Sequence, residues 1–101
     1  MSDLELLAVQ ILGREYKLRC RPEEHEPLTL AAQRLDAEMR AIRATGKALS
    51  TERVAIMAAL NIAHELLQMQ ASLTELQVRL SEKIHNLQVS VDNFLGTEET
   101  I

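Results

Sequence analysis

The sequence predicts an α+β chain: an N-terminal β-hairpin packed on a short helix, followed by a long coiled-coil helix. Three observations carry this. Apolar residues alternate with a period of two on both sides of Gly13. Leu28, Ala31, Leu35, Met39 and Ile42 repeat at helical spacing. From Ala55 onward the apolar positions step by three and four, and no Pro or Gly intervenes from Ala48 to Leu95.

The hairpin spans residues 4–20. Leu7, Val9 and Ile11 form one inward set, and Tyr16, Leu18 and Cys20 the other, while Lys17 and Arg19 face water. An isolated hairpin is marginal and needs a covering helix. Helix one starts near Pro22-Glu23-Glu24, where Pro suits the first helical position and the acids complement the helix dipole. Pro27 fits best within its first turn, which leaves the start between Pro22 and Pro27. Arg40 and Arg43 suit its C-terminal turn, and Gly46 ends it.

Ser50 or Thr51 caps helix two, with Glu52 in the first turn. Its seam runs Ala59, Ile62, Leu66, Met69, Leu73, Leu76, Leu80, Ile84, Leu87, Val91 and Phe94. A second stripe of Ile56, Leu60, Ala63 and Leu67 lies beside the seam. Two stripes imply two partners, the chain's own first domain and another chain. Leu73, Leu76, Leu80 and Ile84 step 3-4-4, an eleven-residue element that favours straighter packing or a bundle. Asn61, beside the seam, is expected to fix register. Gly96 is expected to stop the helix. The organisation read from these signals is a head over residues 1–49 completed by the start of helix two, a coiled-coil rod over 50–96, and a flexible tail over 97–101. About 44 helical residues reach roughly 66 Å, too long for so small a domain to cover, so the chain is expected to oligomerise.

Composition narrows the function. Aromatic content is 2% and net charge is −4, and the excess acid lies in residues 50–101. Nucleic-acid binding calls for a basic footprint, so it is not expected. No apolar run reaches the ~20 residues of a membrane helix, and no signal peptide is expected. Cys20, the sole cysteine, reads as small core filler, and the chain as a cytoplasmic protein. His64 and His85 are too far apart on one helix to share a metal, and Gly13, Gly46 and Gly96 form no phosphate loop. No catalytic constellation, metal set or cofactor site is expected, and the chain reads as a non-enzyme. Arg14 at the hairpin tip, with Arg40, Arg43, Lys47 and Arg53 around the helix-one/helix-two corner, gives a cationic surface suited to an acidic protein.

Three segments carry a resemblance across nearly the whole chain: Ile11-Leu12-Gly13-Arg14-Glu15-Tyr16, Cys20-Arg21-Pro22-Glu23-Glu24, and Ala59-Leu60-Asn61-Ile62-Ala63-His64-Glu65-Leu66. Together they resemble the ZapA family of bacterial cell division proteins. Arg21 stands where a second proline is common in the family. The resemblance implies a regulator that binds filaments of the tubulin-like GTPase FtsZ and crosslinks them in the midcell division ring. It also implies a head-to-head homodimer, two of which join through antiparallel tails into a homotetramer. By analogy Arg14, Arg43, Lys47 and Glu52 touch the filament, and Ile62, Leu66, Met69, Leu73, Leu76, Leu80, Ile84, Leu87 and Val91 make the oligomer. The competing readings are a coiled-coil adaptor that recruits a different helical protein and, less favoured by the acidic rod, a small DNA-associated dimer.

Overall fold

The computed structural model describes the backbone of residues 3–99 and the side chains of residues 3–96. Strands β1 (Glu5–Ile11) and β2 (Arg14–Cys20) pair antiparallel, from Glu5 opposite Cys20 to Ile11 opposite Arg14. Leu12 and Gly13 form the two-residue loop, both at positive φ, 49° and 76°. A tight hairpin needs that backbone to match the strand twist. Glycine adopts it at no steric cost, whereas Leu12 must be held there by its surroundings.

A 3-10 turn over Pro22–Glu24 leads into α1 (His25–Arg43). Pro27 falls in the first turn of α1, where the missing N–H would have had no intrahelical acceptor. The helix packs on β1. Val9 is buried beneath it, Leu7 and Ile11 are half-buried, and Cys20 is buried at the other end of the ladder. Tyr16 and Leu18 share the inner face by register, yet they stay 43% and 40% exposed, since the helix packs chiefly on β1. The inward row on α1 is Leu28, Ala32, Leu35, Met39 and Ile42. Ala31, expected in that row, is exposed. Its neighbour Ala32 takes the place because it shares a cleft with Val9.

The last turn of α1 holds Arg40 and Arg43. The Thr45 hydroxyl donates to the Ile42 carbonyl at 2.7 Å, and Gly46 turns the chain at φ 83°. Helix α2 (Thr51–Glu99) follows. Ser50 is its cap: the Ser50 Oγ accepts the Arg53 amide at 3.2 Å. Val54 and Ala58, both 0% exposed, meet Met39 and Ile42 in the core, with Ile11, Leu12, Leu35, Leu49 and Ala55 around them. Sequence periodicity assigned neither Val54 nor Ala58 to a stripe.

The helix does not stop at Gly96. It continues to Glu99, and Gly96 keeps a negative φ. One glycine costs a helix only about 1 kcal/mol relative to alanine, and without a left-handed turn it does not end one. The tail expected over 97–101 falls outside the residues whose side chains are described. The chain divides into two compact units, Met1–His64 and Glu65–Ile101.

Candidate interaction surfaces

Two kinds of surface stand out, one charged and in the first unit, the other apolar and in the second. The charged one gathers where the hairpin tip meets the end of α1. Arg14 opens β2 immediately after the Leu12–Gly13 loop and is exposed. Leu12, Gly13, Arg40, Arg43 and Ala44 line one shallow cleft, which brings the loop before Arg14 against the C-terminal turn of α1. The Arg43 Nη2 donates to the Thr51 hydroxyl at 3.4 Å, tying that turn to the start of α2. Glu52 lines a separate cleft with Ser50, Arg53, Ile56, Met57 and Leu60. Lys47 is exposed in the connecting loop and lines neither cleft.

Two carboxylates organise this region, and sequence patterning did not single them out. Asp36 Oδ1 accepts the Leu12 backbone N–H at 2.7 Å, and its Oδ2 accepts the Arg40 Nε at 2.9 Å. The amide hydrogen bond first, and the Arg40 guanidinium second, hold the Asp36 carboxyl below the usual carboxylate range. Glu38 Oε2 accepts from Arg34 Nη1 at 2.8 Å, and Oε1 accepts from Asn61 Nδ2 at 3.1 Å. These bonds, Arg34 foremost, lower its pKa too. Asn61 therefore links α2 to α1 within one chain.

The apolar surface lies on the second unit. Leu66, Met69, Leu73, Leu76, Leu80, Ile84, Leu87, Val91 and Phe94 are all exposed. At about 100° per residue they fall within an arc of about 80°. Ile62 precedes them in the first unit and is half-buried. Two spacings occur in the row: Leu66, Leu73, Leu80, Leu87 and Phe94 step by seven, and Met69, Leu80 and Val91 by eleven. Seven-residue spacing favours a left-handed supercoil and eleven-residue spacing a right-handed one, so a row that mixes them imposes neither strongly. On the far side Leu67, Val78 and Val89 keep the eleven-residue spacing and are also exposed. Ile56 and Leu60 in the first unit are exposed as well. The head packs on Val54 and Ala58 instead of on the second stripe, so that stripe stays uncovered.

Among the described residues no group of three or more His, Cys, Asp or Glu could hold a metal ion, and no helix is long and apolar enough to cross a membrane. Burial, with Glu24 and Glu5 nearby, pushes the Cys20 thiol up and keeps it protonated, a poor nucleophile. His25 Nε2 is buried without a hydrogen-bond partner, 3.9 Å from a Glu5 oxygen.

The family model described as "Cell division protein ZapA" matches residues 7–91. A cell division protein ZapA from Pseudomonas aeruginosa is 42% identical, over 95% of this chain and 92% of that relative. One from Pasteurella multocida is 34% identical, over 88% of this chain and 89% of the relative. A solved structure described as an unknown conserved bacterial protein from Pseudomonas aeruginosa PAO1 is similar with a TM-score of 0.70 and 42% identity. The match covers 88% of this chain and 98% of that one.

Proposed function

The chain belongs to the ZapA family of cell division proteins, and from that premise we propose that it binds filaments of the tubulin-like GTPase FtsZ and bundles them without catalysing a reaction. The observation that carries this reading is the apolar row from Leu66 to Phe94, exposed along the helix of the second unit. Such a row needs other helices, and helices that join in this way link the first units of different copies. In this reading residues 1–49, with the start of α2, form the filament-binding head. The long helix after residue 50 forms the oligomerisation rod.

Arg14, Arg43, Lys47 and Glu52 are the filament contacts. Ile62, Leu66, Met69, Leu73, Leu76, Leu80, Ile84, Leu87 and Val91 hold the oligomer, a homodimer that doubles into an antiparallel homotetramer. Exposed apolar residues on two sides of the rod, the main row and Leu67, Val78 and Val89, support a bundle in which each helix has two neighbours. Bridging then works by multivalency. A weak contact at one end raises the effective concentration of the other end on the same polymer bundle. The site of action is the cytoplasmic division ring at midcell.

The experiment is pelleting of purified FtsZ filaments with GTP, with and without this protein, together with light scattering. Co-pelleting with raised scattering is the expected result. Absence of co-pelleting at concentrations where the protein is tetrameric contradicts the proposal. It would favour the second reading, an adaptor whose Leu67, Val78 and Val89 recruit a different helical protein.

A further inference from the structure

The Leu12 amide lies in the hairpin loop, outside the strand ladder that closes with Ile11 opposite Arg14. It is part-buried, so leaving it without an acceptor would carry a desolvation penalty. Its residue also adopts a left-handed backbone that leucine seldom takes. Asp36 answers both requirements. From twenty-four positions further along the chain, on α1, its Oδ1 reaches the Leu12 N–H at 2.7 Å. Its Oδ2 is braced by the Arg40 Nε at 2.9 Å, one helical turn away. Beneath the same loop the Leu12 side chain packs against the core of Met39, Ile42, Val54 and Ala58. The loop is thus pinned on two sides, and Arg14 follows it two residues later.

We propose that Asp36 is the positioning residue of the charged corner: it clamps the hairpin loop onto α1 and thereby sets where Arg14 is presented to the filament, without touching the filament itself. This rests on the filament-binding reading above. The role belongs to the placement of one acceptor oxygen more than to the negative charge, because the group held is a backbone amide. Asparagine at the same position keeps an oxygen at that distance. Glutamate keeps the charge but moves the oxygen outward by one methylene.

The test uses full-length protein in the wild type and in the Asp36→Asn, Asp36→Glu, Arg14→Ala and Arg14→Ala/Asp36→Glu variants. Each is checked for unchanged helicity and oligomer size. Two quantities are read: affinity for FtsZ filaments by pelleting, and hydrogen exchange at the Leu12 amide. Arg14→Ala and Asp36→Glu are each expected to weaken filament binding about fivefold, whereas Asp36→Asn stays within about twofold of wild type. The double variant is expected to be no weaker than Arg14→Ala alone. Leu12 exchange is fast in Asp36→Glu and protected in Asp36→Asn.

If Asp36→Glu binds like wild type while Arg14→Ala does not, the proposal fails and the filament reading stands. The proposal fails in the same way if Asn costs more than Glu, or if the double variant shows additive loss. If Arg14→Ala itself pellets like wild type, the corner is not a filament contact and both fail together.

Discussion

Asp36 and Glu38 lie two residues apart on α1, and each divides its carboxylate between two donors. Asp36 holds the hairpin loop and Arg40, whereas Glu38 holds Arg34 and the Asn61 amide of α2. Both carboxyls titrate lower in the folded chain than in the unfolded one. Their ionised forms therefore stabilise the fold. That contribution is complete above the ordinary carboxylate range, near pH 4, and is lost as pH falls through the depressed folded values. The expected outcome is that wild type is more stable than Asp36→Asn near neutral pH and that this advantage fades below about pH 4, as followed by chemical denaturation. Asn61 makes a second prediction at this scale. Because its bond is to Glu38 of the same chain, Asn61→Ala should lower the unfolding midpoint slightly and leave the oligomer size on chromatography unchanged. A shift in oligomer size would instead support a register-setting role.

The elements differ in how much of them could be read from residue order. The hairpin was legible because period-two alternation and Gly13 act locally, and β1 and β2 form as those signals imply. The start of α1 was legible to within its first turn, since Pro22 and Pro27 both restrict where a helix can begin. What was hidden depends on which partner an element meets. Ala31 and Ala32 are equal candidates until the hairpin settles on the Ala32 side. Tyr16 and Leu18 look inward until the helix is seen to pack chiefly on β1. The first turns of α2 are apolar nearly all round, so no stripe could be singled out, and Val54 and Ala58 make the core contact. The Asp36–Leu12 bond has no periodic signature at all. Two predictions belong here. Met39, 2% exposed between both helices, should cost roughly 2–5 kcal/mol as Met39→Ala, measured by denaturant unfolding. The Leu76→Glu/Leu80→Glu double variant should reduce a tetramer to a dimer by light-scattering mass, because both residues sit mid-row on the rod. A tetramer that survives would place the interface elsewhere.

For the whole molecule, net charge is −4, yet the exposed corner of the first unit carries Arg14, Arg43 and Lys47. Rim charges of this kind steer association and are screened by salt. Filament binding should therefore weaken steadily as ionic strength rises toward several times physiological, while self-association through the apolar row should not. The family itself was legible, because the Gly13-Arg14 turn, the Cys20-to-Glu24 entry into α1 and the Ala59-to-Leu66 segment occur in order over nearly the whole length, and the match to residues 7–91 agrees. The proposed filament contacts were read by analogy, since no local pattern distinguishes a partner-binding arginine from a solvated one. Bridging, in the function proposed, needs two filament-binding ends joined by the rod. A direct test compares wild type with Leu76→Glu/Leu80→Glu on FtsZ filaments at two spin speeds, high speed to collect single filaments and low speed to collect only bundles. The variant is expected to appear with filaments in the high-speed pellet and to leave the low-speed pellet nearly empty, whereas wild type fills both. Full low-speed pelleting by a variant proven dimeric would show that bundling does not need the joined rod.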